Sequence, residues 1–201
     1  MVERQLRRRG ISDERVLRAM AEVPREQFVP ESERERAYRD GALRIGEGQT
    51  ISQPWIVASM TALLEIGPDG RALEVGTGSG YAAAVLSRVC REVVTIERHA
   101  SLAEHARALL ERLGYDNVEV RTGDGSRGAP DRAPFDGISV TATAEREPPA
   151  ALLEQLADDG FLVCPVRSNA DERLTRFRRD GSAEPVVPVR FVPLVEDACG
   201  D

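Results

Sequence analysis

A short apolar run that leads directly into closely spaced glycines constrains the fold of this chain most. The segment is Ala72-Leu-Glu-Val-Gly-Thr-Gly-Ser-Gly-Tyr81, in which a predicted buried strand is followed by Gly76-x-Gly78-x-Gly80 and an alanine-rich helix. Glycines allow positive φ angles and let the backbone approach a ligand closely. In open α/β sheets, nucleotide ligands bind at the carboxyl end of such a strand. The segment therefore predicts an α/β protein with a ligand site at this point.

Beyond residue 70 the hydrophobic pattern alternates between strands and helices. Short apolar runs predict strands at 71–75, 93–97, 117–122, 135–141 and 161–166. Longer amphipathic segments predict helices at 99–113 and 149–157. This alternation is typical of a mostly parallel, doubly wound α/β sheet. Two later strands, at 173–178 and 186–192, have no helix between them, so we expect an antiparallel end to the sheet.

The N-terminal third has a different pattern. Ser12 begins a predicted helix that ends at Pro24, and Pro54 begins a second one. The segment 27–49 between them is predicted as loop because it contains three glycines and little periodicity. We therefore predict a single domain over residues 1–201, with a helical N-terminal extension at 1–65 and a sheet core at 66–201.

Charge and composition limit the classes of partner. The 201 residues carry a formal net charge of −7, which argues against nucleic acid because phosphate binding needs a basic surface. No apolar run approaches the roughly 18 residues of a membrane helix. The first residues also lack the apolar region of a secretory signal. We expect a cytoplasmic monomer that binds neither nucleic acid nor membrane.

Potential metal ligands are not grouped along the chain. Cys90, Cys164 and Cys199 share no metal-ligand spacing, and the first two lie in apolar runs, as core residues do. His99 and His105 lack the i,i+4 spacing of a zinc-binding helix. We therefore expect no metal site. The chain also contains no lysine, which excludes a Schiff-base mechanism.

Three acidic residues fall near the carboxyl ends of consecutive predicted strands. Glu74 lies within the first strand, where it could hold amides of the glycine loop or face the positive end of a cofactor, since a buried carboxylate without a role is costly. Glu97 ends the next strand and could bind ribose hydroxyls, or be a surface acid. Asp124 follows the third strand and could bind an adenine amine, or form a turn. Together they predict an adenosine site.

A second informative segment, Gly46-Glu-Gly-Gln-Thr-Ile-Ser-Gln-Pro54, ends where the second predicted helix begins. Local physics explains Ser52 as a helix-capping residue, with Pro54 in the first turn. The N-terminus of a helix also attracts carboxylates, so a binding role for this segment is compatible with capping. The local pattern leaves both roles open.

This segment and Leu73-Glu-Val-Gly-Thr-Gly-Ser-Gly-Tyr81 are very similar to the two signature segments of protein L-isoaspartate O-methyltransferases. The resemblance extends to Val23-Pro-Arg-Glu-Gln-Phe-Val29 and to residues 123–125, 133–136 and 189–194, and so covers nearly the whole chain. The glycine spacing differs from the Gly-x-Gly-x-x-Gly of dinucleotide-binding proteins. It resembles that of class I S-adenosylmethionine-dependent methyltransferases, and it implies their Rossmann-like fold. Thr50-Ile51-Ser52 is the discriminating part, since many methyltransferases share the glycine motif.

The resemblance implies a reaction and a set of site residues. S-adenosylmethionine would methylate the free α-carboxylate of L-isoaspartyl residues in damaged proteins and peptides, leaving S-adenosylhomocysteine. The ester would then close to a succinimide, which starts repair. Ser52 would supply the active-site hydroxyl in a substrate loop, with substrate contacts from Thr50, Ile51, Gln53 and Val192. The implied cofactor contacts are Glu74, Gly76, Thr77, Gly78, Ser79, Gly80, Glu97, Arg98, Asp124 and Gly125.

The sequence departs from the family pattern at a few positions. Arg44 stands where the family usually has proline, and Arg167 follows Val166 where the family typically has glycine. The stretch 141–147 is also more charged than the resemblance leads us to expect. Because none of these changes removes Ser52 or a cofactor acid, they concern peptide preference rather than the reaction.

Three alternatives compete with this interpretation. The first is a peptide-tailoring methyltransferase that converts a specific aspartate to an aspartimide, although such relatives commonly have a C-terminal extension. The second is an NAD-dependent oxidoreductase, which the glycine spacing disfavours. The third is a non-catalytic binding module, which retention of the serine and the three acids disfavours.

Overall fold

The computed structural model of the protein describes residues 1–168 and 171–195, so Cys199 lies outside the described residues. The α-helices are α1 (Glu14–Glu22), α2 (Pro54–Leu63), α3 (Tyr81–Leu86), α4 (Ala100–Arg112) and α5 (Ala150–Glu154). The strands are β1 (Leu43–Gly46), β2 (Gln49–Ile51), β3 (Arg71–Val75), β4 (Glu92–Glu97), β5 (Val118–Thr122), β6 (Phe135–Val140), β7 (Ala144–Glu145), β8 (Leu156–Ser168), β9 (Asp171–Phe177) and β10 (Ala183–Pro188).

The main sheet has the strand order β10-β9-β8-β6-β3-β4-β5, and β7 pairs with β8 outside this path. The strands from β5 to β8 along this path are parallel, whereas β9 and β10 are antiparallel to their neighbours. The central strand β3 is buried from Ala72 to Val75, because helices and loops cover both faces of a parallel sheet. The predicted α/β class with an antiparallel end is confirmed.

The N-terminal extension packs onto the sheet core rather than standing apart from it. Asp13 caps α1, its carboxylate accepting the amide hydrogens of Arg15 and Val16. The cap is therefore Asp13 and not Ser12. Phe28 meets the ring of Tyr81 edge to face, with 5.6 Å between the ring centres. Buried apolar residues of the extension and of α3 thus form one core cluster.

A short β-hairpin, β1–β2, lies where the sequence predicts only loop. Its two-residue turn consists of Glu47 and Gly48, both at positive φ (48° and 70°), which matches the turn geometry that suits tight hairpins. Strands of three and four residues are too short to show a pattern in the sequence. The extension is therefore helical with one hairpin, and this hairpin leads directly into the segment around Ser52.

The C-terminal strands differ from their predicted bounds. The predicted helix 149–157 ends at Glu154, because β8 already begins at Leu156 opposite Phe135 and continues through a bulge. The last strand, β10, ends at Pro188. The chain after it runs alongside Thr143, whose backbone bonds Val192 and Leu194 at 2.8 Å each. This detour brings residues 189–195 over the carboxyl ends of the parallel strands.

Candidate active site

A cavity of about 850 Å³ lies at the carboxyl ends of β3 and β4. The glycine loop forms its floor, while the β2–α2 segment and residues 188–195 lie around it. Its volume falls in the range of small-molecule and cofactor sites. Twelve of the fifteen sequence-predicted site residues line this cavity: Thr50, Ile51, Ser52, Gln53, Val192, Gly76, Thr77, Gly78, Ser79, Glu97, Arg98 and Gly125. Glu74, Gly80 and Asp124 do not.

The glycine loop exposes backbone to the cavity. Gly76 has a φ of 96°, and a Cβ there would lie 2.2 Å from the hydroxyl oxygen of Thr141. That hydroxyl donates to backbone carbonyls at the end of β3, with O–O distances of 3.0 Å to Val75 and 2.9 Å to Gly76. On the neighbouring strand's side, a Cβ on Gly125 would lie 2.5 Å from Val75. Only glycine fits at these two positions, so the loop meets the cavity as bare backbone.

Glu97 is a buried acid held in a fixed orientation at the end of β4. One carboxylate oxygen accepts the amide hydrogen of Gly78 at 2.9 Å, and the other accepts that of His99 at 3.0 Å. A carboxylate has about four acceptor sites, so two remain for the hydroxyls of a ligand. The arrangement is suited to holding a ribose next to the glycine loop.

Glu74 points into the sheet core instead of the cavity and is fully buried. It accepts a hydrogen bond from the Thr95 hydroxyl at 2.6 Å, and Thr95 is in turn 2.7 Å from the Thr77 hydroxyl. Its other oxygen has no hydrogen-bond partner among the described residues. Burial raises the pKa of Glu74 to about 8, so the side chain is protonated at neutral pH. Glu74 therefore reaches the glycine loop only through Thr95 and Thr77.

Gly80 and Asp124 act on the shape of the loops that carry them. Gly80 precedes α3 with a φ of 87°, and its amide closes a turn onto the Thr77 carbonyl at 2.8 Å. Asp124 caps the short turn after β5, accepting the amide hydrogen of Ser126 at 2.9 Å, and it lies 3.7 Å from the Arg127 guanidinium. Both contacts are of the kind that the turn-forming interpretation of Asp124 predicts.

Ser52 lies half-buried at the end of the β-hairpin, facing the cavity. It does not cap α2, because the cap position is occupied by Gln53, whose side chain makes no capping hydrogen bond. The Gln53 side chain instead donates to Asp40 at 2.7 Å. The Ser52 carbonyl accepts from the fully buried Arg25 guanidinium at 2.7 Å. The capping interpretation of Ser52 is therefore wrong, and the side chain is available to a ligand in the cavity.

Glu172 fixes the C-terminal segment that brings Val192 to the cavity. One of its carboxylate oxygens accepts both the Phe191 amide and the Thr143 hydroxyl, each at 2.6 Å. Arg167, one of the departures from the family pattern, pairs with Glu145 at 2.7 Å and lies 3.5 Å from Glu172. The positive charge of Arg167 is thus balanced by Glu145, which belongs to the charged stretch 141–147, and by Glu172. Through Glu172, this charge pairing lies beside the segment that carries Val192.

Sequence reasoning missed several residues that shape the site, namely Arg25, Tyr81, Thr95, Thr141 and Glu172. Thr141 is the last residue of a predicted strand, and its place at the carboxyl end of that strand is a signal that could have identified it. Arg25 lies in a segment that carries the family resemblance, Val23–Val29, but nothing local predicts its partner 27 residues away. The other departure, Arg44, is exposed on β1 directly opposite Thr50.

Two absences concern only the described parts of the chain. In residues 1–168 and 171–195, no three histidine, cysteine or acidic side chains are grouped so that they could hold a metal ion. Over the same residues, no helix is both long and apolar enough to cross a membrane. Cys90 and Cys164 are free and buried, as predicted for core residues.

Sequence comparison shows which protein family this chain is similar to. A sequence profile of the protein-L-isoaspartate(D-aspartate) O-methyltransferase (PCMT) family matches residues 1–198. The protein-L-isoaspartate O-methyltransferase of Roseiflexus castenholzii is 57% identical over 94% of this chain and 87% of its own. The protein-L-isoaspartate O-methyltransferase of Nitrobacter winogradskyi is 52% identical over 97% of this chain and 91% of its own. These similarities support neither the peptide-tailoring nor the oxidoreductase alternative.

Solved structures agree with the sequence relatives. A protein-L-isoaspartate O-methyltransferase superposes with a TM-score of 0.84 at 32% identity, covering 96% of this chain and 65% of that longer one. A Plasmodium falciparum structure assigned as a beta-aspartate methyltransferase (PCMT), in complex with S-adenosyl-L-homocysteine, gives a TM-score of 0.81 at 26% identity, with 95% of each chain covered. The chain belongs to the protein-L-isoaspartate(D-aspartate) O-methyltransferase family.

Proposed function

We propose that this chain transfers a methyl group from S-adenosylmethionine to the free α-carboxylate of L-isoaspartyl residues in proteins and peptides. The main support is that the Ser52 segment and the glycine loop face each other across one cavity, in a chain that belongs to this family. A methyl donor on the glycine loop and a carboxylate at Ser52 would then share one cavity.

The cofactor side of the cavity fits S-adenosylmethionine. Gly76 and Gly125 leave no room for side chains, so a ligand can lie against backbone, and Glu97 has acceptor sites for ribose hydroxyls. When bound there, the cofactor supplies a sulfonium-activated methyl group. We assign cofactor contacts to the lining residues Gly76, Thr77, Gly78, Ser79, Glu97, Arg98 and Gly125. Glu74, Gly80 and Asp124 do not line the cavity, and we assign them the role of fixing the loops that carry the lining residues.

On the substrate side, Ser52 orients the α-carboxylate, and Thr50, Ile51, Gln53 and Val192 form the walls around it. A carboxyl group with an ordinary pKa near 4 is ionised at neutral pH, so the reaction needs no strong general base. Alignment of the nucleophile and exclusion of water supply the acceleration. Residues 189–195 and the hairpin serve to exclude water, since both border the cavity.

The same proposal covers partners and location. We expect a cytoplasmic monomer whose substrates are isoaspartyl proteins and peptides rather than nucleic acids or membranes. The net charge of −7 supports the exclusion of nucleic acid. Size-exclusion chromatography with light scattering tests the monomer, for which the expected mass is 22.0 kDa.

Two synthetic peptides of identical sequence, one with L-isoaspartate and one with L-aspartate, test the reaction. Each is incubated with the protein and radiolabelled S-adenosylmethionine, and base-labile methyl ester is counted. We expect label on the isoaspartyl peptide alone. Equal label on both peptides, or label on neither while S-adenosylhomocysteine still binds, would show that the acceptor is a different one.

A further inference from the structure

Arg25 is a fully buried arginine directly behind the Ser52 segment. Its Nε donates to the Ala37 carbonyl at 2.8 Å, and one terminal nitrogen donates to the Ser52 carbonyl at 2.7 Å. The guanidinium lies over the ring of Tyr81, 4.7 Å from the ring centre. Arginine is almost never fully buried unless an anion pairs with it. These neighbours are all uncharged, so the contacts leave the charge of Arg25 unbalanced.

The positive charge of Arg25 has no counter-charge in the described part of the chain. No carboxylate of residues 1–168 or 171–195 forms an ion pair with it, and its second terminal nitrogen is buried without a hydrogen-bond partner. The nearby phenols do not supply an anion, since burial raises the pKa of Tyr81 and of Tyr38 to about 12. A buried charge without a partner is costly, which points to a partner that arrives with a ligand.

The location of the guanidinium identifies what that ligand brings. Ser52 and Tyr81, two of the groups it contacts, both line the cavity. A carboxylate bound by the Ser52 hydroxyl would be separated from the guanidinium of Arg25 by little more than the Ser52 backbone. In a buried environment, a carboxylate and a guanidinium attract each other far more strongly than in water.

We propose that Arg25 is a positioning residue whose buried charge balances the α-carboxylate of the substrate while its hydrogen bond fixes the Ser52 segment. This inference rests on the proposed function. It also gives the site a preference for substrate over product. Once the carboxylate has become an uncharged ester, the attraction to Arg25 disappears, and the product peptide leaves more readily.

Matched peptides separate a charge role from a merely structural one. An isoaspartyl peptide with a free α-carboxylate is compared with the same peptide carrying an α-carboxamide, which has the same shape and no charge. Both are measured by calorimetry in the presence of S-adenosylhomocysteine. In Arg25→Gln, we expect the carboxylate peptide to bind about 10- to 100-fold more weakly and the carboxamide peptide to change by less than about threefold.

Controls isolate the charge of Arg25. Arg25→Lys keeps the charge and should retain most of the preference for the carboxylate. Arg15→Gln removes another arginine that donates to a backbone carbonyl, that of Ile66 at 2.7 Å, but does not line the cavity, and should leave both peptides unchanged. The Kd of S-adenosylhomocysteine should stay the same in all variants.

Equal weakening of both peptides in Arg25→Gln would overturn the proposal, because a misplaced segment affects them alike. If that variant does not fold, the inference is still tested by the affinities of the two peptides for the wild-type protein. It must bind the carboxylate peptide at least about 10-fold more tightly than the carboxamide peptide, and a smaller ratio overturns the inference. Methylation of the isoaspartyl peptide by the wild type is scored separately, so a failure here leaves the proposed function standing.

Discussion

The Ser52 hydroxyl is the one side-chain group on the substrate side of the cavity to which we assign a catalytic role. Its backbone carbonyl is fixed by Arg25, and its side chain has no capping role, so the hydroxyl can hold a carboxylate oxygen in line with the methyl donor. Because the nucleophile is already ionised, the contribution of Ser52 is orientation rather than proton removal.

Ser52→Ala is therefore expected to lower kcat/KM for an isoaspartyl peptide by about 10- to 100-fold, the scale of losing one well-placed polar contact in an active site. The Kd of S-adenosylhomocysteine, measured by calorimetry, should change by less than about twofold. Ser182→Ala, in the β9–β10 turn, is the matched control and should match the wild type in both measurements. Parallel losses of turnover and cofactor binding would contradict the role.

At the scale of elements, the conformation of the glycine loop depends most on Gly76, and Gly114, which is outside the loop, is a suitable comparison. Gly76 and Gly114 both have positive φ angles, 96° and 75°. A Cβ on Gly114 would meet nothing within 4 Å, whereas one on Gly76 would lie 2.2 Å from the Thr141 hydroxyl. The pair therefore separates backbone strain from a direct clash at the site.

We expect Gly114→Ala to cost only the strain of a left-handed residue, about 1–2 kcal/mol, with cofactor binding unchanged. Gly76→Ala should destabilise the protein further and weaken S-adenosylhomocysteine binding at least about tenfold, because Thr141 must move and the loop with it. Thermal denaturation and calorimetry measure the two effects. Similar cofactor affinity in the two variants would show that the loop tolerates a side chain.

The strands that sequence reasoning located best are largely buried. β3 matches its predicted bounds, and β4 and β6 differ by one residue, because continuous apolar runs bounded by turns leave little freedom. β5, which is at the edge of the sheet and only partly buried, also differs by one residue. The hairpin and the early start of β8 were missed for a different reason. Their strand pairing depends on a two-residue turn and on a bulge next to Asp158-Asp159-Gly160, which looks like a turn in the sequence.

The same limit applies to the site. Parallel topology places every strand's carboxyl end at one edge of the sheet, so the residues around the glycine loop could be grouped from the sequence alone. The direction of Glu74 could not, because both faces of β3 are buried and the pattern has no polar side. The contacts of Arg25 and Glu172 join segments far apart in the chain, and no local signal predicts them.

For the whole molecule, the shared core of the extension and the sheet supports the predicted single domain. Leu6, Met20 and Phe28 belong to the same buried cluster as Tyr81 and Val85. We expect one cooperative unfolding transition in urea, with coincident curves from far-UV circular dichroism and from the fluorescence of Trp55 in the extension. Two separated transitions would contradict the single-domain prediction.

Stability as a function of pH should also reflect the buried acid Glu74. Its pKa is about 8 in the folded protein, because burial disfavours the charged form, against an ordinary value of 4.5. Between these two values the folded state holds a proton that the unfolded chain has released. The resulting stabilisation is complete below about pH 4.5 and is lost as the pH rises toward 8.

We therefore expect the cofactor-free wild type to lose roughly 5–10 °C in Tm between about pH 5.5 and 8.5, since each pH unit contributes at most about 1.4 kcal/mol. Glu74→Gln mimics the protonated form and should remove most of this decline, so that the variant is the more stable protein at pH 8.5 and comparable at pH 5.5. All other ionisable groups are common to both proteins, so the difference between the two curves isolates Glu74. If Tm fell equally with pH in the two proteins, Glu74 would be ionised in the folded state. The hydrogen bonds from Thr77 through Thr95 would then hold a buried carboxylate.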